Sequence, residues 1–165
     1  MQKMLRAFGQ RLAVLRKDQG MTQPDLAFAT GLSLNTISNV ERGLHDPSVL
    51  TASLIQVHLG SPGLELSDDG FLPVASTLPP GKLPFPNLVE PLPVMILNIG
   101  AVIQKRRQSM GLTQESLSRI SGVHLNTLWN LERGLVVPSI STMFRLLRSL
   151  NVRQVRGTLD GIVLI

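Results

Sequence analysis

The chain has 165 residues, room for one ordinary domain or two small ones of about 70 residues each. It is 43% hydrophobic, only 4% aromatic and free of cysteine, which argues against a disordered tail and excludes disulfides, thiolate metal ligands and a cysteine nucleophile. The missing cysteines fit a reducing cytoplasm, and a net charge of +5 favours a polyanionic partner such as nucleic acid.

The opening segment, MQKMLRAFGQRLAVLRK, carries charges every few residues and lacks the apolar core of a signal peptide. Leu5, Phe8, Leu12 and Leu15 recur at helical spacing and predict a first helix that stops at Asp18-Gln19-Gly20. Thr22 then caps a short second helix, Gln23 to about Thr30, with Pro24 in its first turn, where a missing donor is harmless. Gly31 makes a turn, Ser33 caps a third helix running to about Arg42, and Gly43 ends it. Pro47-Ser48 opens a fourth helix carrying Val49, Leu50, Leu54 and Leu59, after which Gly63 to Leu66 reads as β.

Pro73 to Pro93 holds seven of the eleven prolines, so it is expected to be a spacer rather than helix or central strand. Fully extended at about 3.1 Å per residue, it would reach roughly 60 Å. The longest apolar run, Leu92 to Ile103, is too short for a bilayer, which needs about 20 residues. It leads into Lys105, Arg106 and Arg107 and reads as the first helix of a second domain in a soluble, intracellular protein. The expected organisation is residues 1–72, a linker 73–93, and residues 94–165.

That second domain is a copy of the first. Thr22-Gln23 recurs as Thr113-Gln114, a shift of 91 residues. Without a gap, the same shift sets Gly9 on Gly100, Arg16 on Arg107, Leu34-Asn35-Thr36 on Leu125-Asn126-Thr127, and Asn39 on Asn130. It continues through Glu41-Arg42-Gly43-Leu44 on Glu132-Arg133-Gly134-Leu135, Pro47-Ser48 on Pro138-Ser139, and Asp69-Gly70 on Asp160-Gly161. The second copy ends β-like from Val152 to Ile165, and its run Ile162-Val163-Leu164-Ile165 would be a sticky edge if left exposed.

Two short helices joined by a glycine-containing turn make a helix-turn-helix. The stretches TQPDLAFATGLSLNTISNVERG and TQESLSRISGVHLNTLWNLERG resemble the XRE, or Cro/CI-repressor, family of DNA-binding domains. The resemblance implies a mainly all-α chain of two lambda-repressor-like domains in tandem, each of about four helices. It puts the third helix of each in the major groove. The base-facing set it implies is Ser33, Leu34, Asn35, Ser38 and Asn39, and in the second copy His124, Leu125, Asn126, Trp129 and Asn130.

Asn35 with Asn39, and Asn126 with Asn130, lie four apart on one helical face. Asparagine can pair with the N6 and N7 edge of adenine, or it can merely cap or solvate a helix. Leu34 and Leu125 either touch a thymine methyl or are partly buried at the helix start. Ile37, Val40, Leu128 and Leu131 take the opposite, core face.

Gln23 and Gln114 open the second helices, where free backbone donors attract phosphate. The resemblance implies that they also brace the recognition helix. Ser48 and Ser139 are expected to offer the fourth-helix N-termini to the DNA backbone, and Arg42, Arg119 and Arg133 complete the phosphate set. The resemblance further implies structural ion pairs, Arg16 with Glu41 and Arg107 with Glu132, which are not counted as DNA contacts.

The copies differ in charge: residues 1–72 hold six basic and seven acidic side chains, residues 94–165 nine and three. Phosphate neutralisation supplies most non-specific affinity, so the second domain is expected to bind more strongly. Trp129 replaces Ser38, either to stack on a sugar-phosphate edge or to cover the linker. Phe28, where the second copy has Arg119, hints at a protein contact.

The β segments resemble the layout of HipB-type antitoxins, whose strand pairs across a dimer. They are expected either to pair with each other, making a single-chain pseudo-dimer, or to pack on their own domains. A pseudo-dimer would hold its recognition helices about 34 Å apart and read an imperfect inverted repeat of double-stranded DNA. Further homodimerisation would lengthen that site to four half-sites.

His45, His58 and His124 have no metal-ligand spacing, and there is no phosphate loop, nucleophile elbow or tyrosine. Enzymatic activity, cofactor and metal are therefore not expected. The expected role is a cytoplasmic, nucleoid-associated transcriptional repressor or autoregulator of a bacterium or phage. The alternative is a protein-interaction module, an antitoxin for a toxin or an anti-activator of a mobile element. A third possibility is an architectural factor that bends DNA.

Overall fold

The computed structural model describes residues 1–61, 63–67, 70–74, 99–158 and 161–165. In the first repeat, α1 (Gln2–Asp18) buries Met4, Leu5, Phe8, Leu12 and Leu15 along one stripe. Helix α2 (Gln23–Thr30) starts with a capping box. The Thr22 hydroxyl accepts from the Asp25 amide, and the Asp25 carboxylate accepts from the Thr22 amide. It ends at Gly31, whose φ of 68° is the left-handed turn that a side chain would resist. Helices α3 (Leu34–Glu41) and α4 (Val49–His58) are capped by the hydroxyls of Ser33 and Ser48.

The second repeat follows the same plan with α5 (Ile99–Ser109), α6 (Gln114–Ser121), α7 (Leu125–Glu132) and α8 (Ile140–Ser149). The expected tandem, mainly helical architecture is borne out. Among the described residues the expected first helix of this repeat begins at Ile99, and positions 92–98 of the predicted apolar run lie outside them. No helix among the described residues is long and apolar enough to cross a membrane.

Each first helix crosses the third of its own repeat at backbone contact. A Cβ added to Gly9 would lie 2.1 Å from the Val40 carbonyl oxygen, and one added to Gly100 would lie 1.9 Å from that of Leu131. The duplicated glycine is what lets the two helices touch. Leu26, Ile37, Val40 and Ile55, with their equivalents Leu117, Leu128, Leu131 and Leu146, are buried in one hydrophobic core that runs through both repeats.

Each repeat ends in a hairpin, where the sequence suggested single β segments. Strands β1 (Gly63–Ser67) and β2 (Gly70–Pro73) pair antiparallel, as do β3 (Gln154–Thr158) and β4 (Gly161–Leu164). The hairpins merge into one four-stranded sheet, ordered β2-β1-β3-β4. Pro73, the first residue of the expected spacer, closes β2 at the sheet edge, where a missing donor costs no ladder bond. Its carbonyl accepts from Arg11 Nε at 3.2 Å, tying the edge back to α1. The rest of the expected spacer, from residue 75 on, lies outside the described residues.

The join between repeats has a local two-fold symmetry that can be read from register alone. In β1·β3, Leu64 lies opposite Val155, and these are the same position in the duplication. A bridge pairs Ser48 with Ser139, again equivalent positions. Two symmetry-related hydrogen bonds flank it: the Val49 amide donates to the Pro138 carbonyl at 2.8 Å, and the Ile140 amide to the Pro47 carbonyl at 2.9 Å. A pseudo-dyad therefore passes between the repeats at both places.

Candidate nucleic-acid interface

Helices α3 and α7 each split into two faces. Ile37 and Val40, with Leu128 and Leu131, are buried against their own repeats, as the sequence predicted. On the other face Ser33, Leu34 and Asn35 are exposed, with Ser38 and Asn39 half-buried; His124, Leu125, Asn126 and Trp129 are exposed and Asn130 half-buried. Leu34 and Leu125 are 48% and 37% exposed, so both leave the helix start with apolar surface free for a contact.

Neighbours on that face already hold one another. Asn39 Nδ2 donates to Asn35 Oδ1 at 3.3 Å, which fixes both amides along one line. The Ser33 hydroxyl accepts from the Thr36 amide at 3.0 Å as the helix cap. In the second repeat His124 takes that place, its Nδ1 accepting from the Asn126 amide at 3.3 Å. The Arg133 guanidinium lies over the Trp129 ring, 4.2 Å from its centroid. This cation–π stack was missed in the sequence, although an aromatic and an arginine four apart on a helix are its signal.

The recognition helices are anchored at their C-terminal ends. Arg16 Nε and Nη2 donate to the two Glu41 carboxylate oxygens at 2.6 and 3.0 Å, and Nη1 donates to the Met21 carbonyl at 2.6 Å. Gln23 Nε2 donates to Glu41 Oε2 at 2.8 Å. The second repeat reproduces the set, with Arg107 on Glu132 at 2.6 and 2.7 Å, Arg107 on the Leu112 carbonyl at 2.7 Å, and Gln114 on Glu132 at 2.8 Å. The bidentate bond to Glu41, and likewise to Glu132, pushes each arginine's pKa further up. Both glutamines thus couple the start of the second helix to the end of the third.

The residues assigned to phosphate divide by place. Arg42, Arg119 and Arg133 are exposed, the first and last at the C-terminal caps of α3 and α7 and Arg119 on α6. Ser48 and Ser139 sit at the pseudo-dyad, where the Val49 and Ile140 amides at the helix starts are taken by carbonyls of the other repeat. Asp46 adds to this, accepting from the Ser141 amide at 3.1 Å and the Ser141 hydroxyl at 2.5 Å. Sequence reasoning missed Asp46 and Ser141, which are separated by 95 residues. The only trace is that the duplication fails there, with Val137 in place of Asp46 and Leu50 in place of Ser141.

A helix-turn-helix family profile matches residues 12–66 and 103–153, one segment in each repeat. The chain belongs to the helix-turn-helix family. Each matched segment spans the second and third helices of its repeat, the XRE-type element that the sequence resembles. The chain is also similar to an uncharacterized HTH-type transcriptional regulator, y4dJ, of Sinorhizobium fredii, at 33% identity over 63 residues. That alignment covers 82% of the relative and 38% of this chain, so the relative is about the size of one repeat. No solved structure matches the chain. Membership of the helix-turn-helix family implies DNA binding.

Proposed function

We propose that the chain is a sequence-specific, double-stranded DNA-binding transcriptional regulator, a repressor or autoregulator acting as a single-chain pseudo-dimer. The observation that supports this reading is the local pseudo-dyad at Ser48/Ser139 and Leu64/Val155, where equivalent positions of the two repeats face each other. Two recognition helices related by such a dyad suit an inverted repeat with half-sites one helical turn apart. Leu-Asn-Thr-x-x-Asn is common to α3 and α7, so the half-sites are similar; Ser33 against His124 and Ser38 against Trp129 make them unequal. Asn35 with Asn39, and Asn126 with Asn130, read base edges, each good bidentate pair contributing about 1–3 kcal/mol of discrimination.

Arg42, Arg119 and Arg133 bind phosphate, and the more basic second repeat supplies the larger electrostatic share. Gln23 and Gln114 keep the phosphate role at the α2 and α6 starts in addition to their bond to glutamate. The protein acts in the cytoplasm on the nucleoid. Selection from a random duplex library tests this, with Asn35→Ala/Asn39→Ala and Asn126→Ala/Asn130→Ala in parallel. A split, imperfect palindrome is expected from the wild type, with each double variant relaxing one half. No selection by the wild type at low salt would overturn the reading.

A second reading has one observation in its favour. Phe28 is 92% exposed on α2, where the other repeat carries the cation Arg119. A protein partner, such as a toxin or an activator held by an antitoxin or anti-activator, would cover it, with DNA binding secondary. Capture of such a partner that is lost in Phe28→Arg, while operator selection persists, would establish that role.

A further inference from the structure

At the two backbone junctions between the repeats, the side chains complement each other only between unlike repeats. The antiparallel register about Ser48 and Ser139 sets Asp46 opposite Ser141 on one side of the dyad and Leu50 opposite Val137 on the other. Asp46 and Val137 are equivalent positions, as are Leu50 and Ser141. One side is therefore polar, with the Asp46 carboxylate accepting two hydrogen bonds from Ser141, and the other is apolar.

Like-with-like pairing in the same register breaks both matches. Two first repeats would set each Asp46 carboxylate against a leucine, with only a backbone amide left to satisfy it. Two second repeats would set Val137 against Ser141 and leave that hydroxyl without its carboxylate. The sheet carries the same logic independently. Glu65 lies opposite Gln154, whose Nε2 donates to Glu65 Oε1 at 3.3 Å. Between two first repeats Glu65 would face Gly63, and between two second repeats Gln154 would face Arg156. The excess of base in the second repeat adds repulsion to pairing with its own kind.

We infer that the join is a heterotypic recognition surface whose fitting partner is the unlike repeat, so that it closes one chain on itself and rejects like-with-like pairing between chains. Specificity here is the difference between a matched and a mismatched partner, and the mismatches are built in. The inference rests on the single-chain pseudo-dimer of the proposed function but not on its DNA binding, so pairing in solution tests it apart from operator selection.

Sedimentation and thermal melting of the full chain test it. The exchange Asp46→Val with Val137→Asp would make each repeat complementary to itself: an apolar pair between two first repeats, an acid–serine pair between two second repeats. Adding Leu50→Ser and Ser141→Leu restores the match between unlike repeats, with the polar side moved across the dyad. The wild type is expected to sediment as a monomer across the micromolar range. The two-residue exchange should lower the melting midpoint and raise the dimer fraction about tenfold at equal concentration, against the millimolar effective concentration that tethering supplies. The four-residue variant should return to a monomer with a midpoint near that of the wild type. If the two-residue variant does not fold, recovery in the four-residue variant still supports the inference. A two-residue exchange indistinguishable from wild type, or a four-residue variant no better than it, would overturn the inference.

Discussion

Glu41 offers the sharpest test of how the recognition helix is held. It is buried at the end of α3 and accepts from Arg16 Nε, Arg16 Nη2 and Gln23 Nε2. In Glu41→Leu all three donors lose their partner, and the buried Arg16 guanidinium keeps only the Met21 carbonyl. Breaking a buried pair from one side costs about 3–5 kcal/mol, because the remaining charge stays desolvated. For a chain of this size each kcal/mol moves the melting midpoint by about 2–4 °C, so a drop of roughly 6–20 °C is expected. The double variant Arg16→Met/Glu41→Leu should recover much of the loss, since it leaves no stranded charge and the site can be filled with apolar volume. Urea denaturation of the wild type, both single variants and the double variant measures each corner of this cycle. A single-variant cost below about 1 kcal/mol, or a double variant no more stable than the worse single one, would refute the reasoning.

Gly9→Ala should destabilise the first repeat by about 1–3 kcal/mol or more, and Gly100→Ala the second, since each new methyl meets a backbone carbonyl that cannot turn away; calorimetry of each variant checks this. Asp25 is held below the ordinary carboxylate range by the Thr22 hydroxyl and amide, and Glu115 by its own backbone amide and the Thr113 hydroxyl. Their contribution to stability is therefore complete above the unfolded pKa, near 4, and is lost as pH falls through the lowered folded values. Asp25→Asn/Glu115→Gln should flatten the melting midpoint against pH in that acid window, which a melting series across it would read. Arg133→Ala should reduce the slope of log affinity against log salt by about 0.9, the release from one phosphate. Trp129→Ala should weaken affinity by about 0.5–1 kcal/mol while keeping that slope, because the cation remains but loses the ring that orients it; a salt titration separates the two.

The helices were legible because periodicity and capping chemistry agree at nearly every boundary. Thr22, Ser33 and Ser48 all cap where the sequence placed them. The strands were harder. Strand β2 is four residues long and ends on a proline, so it reads as linker until its edge position is known. The Arg16–Glu41 pair spans 25 residues and has no local spacing rule; family resemblance alone brought it forward. The face of α3 was legible from Ile37 and Val40, which a helix of 3.6 residues per turn sets opposite Asn35 and Asn39. Ser48 and Ser139 show the limit. As helix caps followed by free amides they look like phosphate sites, and only the folded chain reveals that the other repeat takes the Val49 and Ile140 amides. Contacts between segments some ninety residues apart leave no periodic trace, only differences between the copies such as Asp46 against Val137 and Leu50 against Ser141.

A dimer of identical subunits is unchanged by a half-turn about its two-fold axis. Here the axis relates Ser38 to Trp129 and Ser33 to His124, so the molecule has a left and a right. On DNA it would sit in one direction only. In the proposed reading, a change in either repeat would alter one half-site and leave the other as it was.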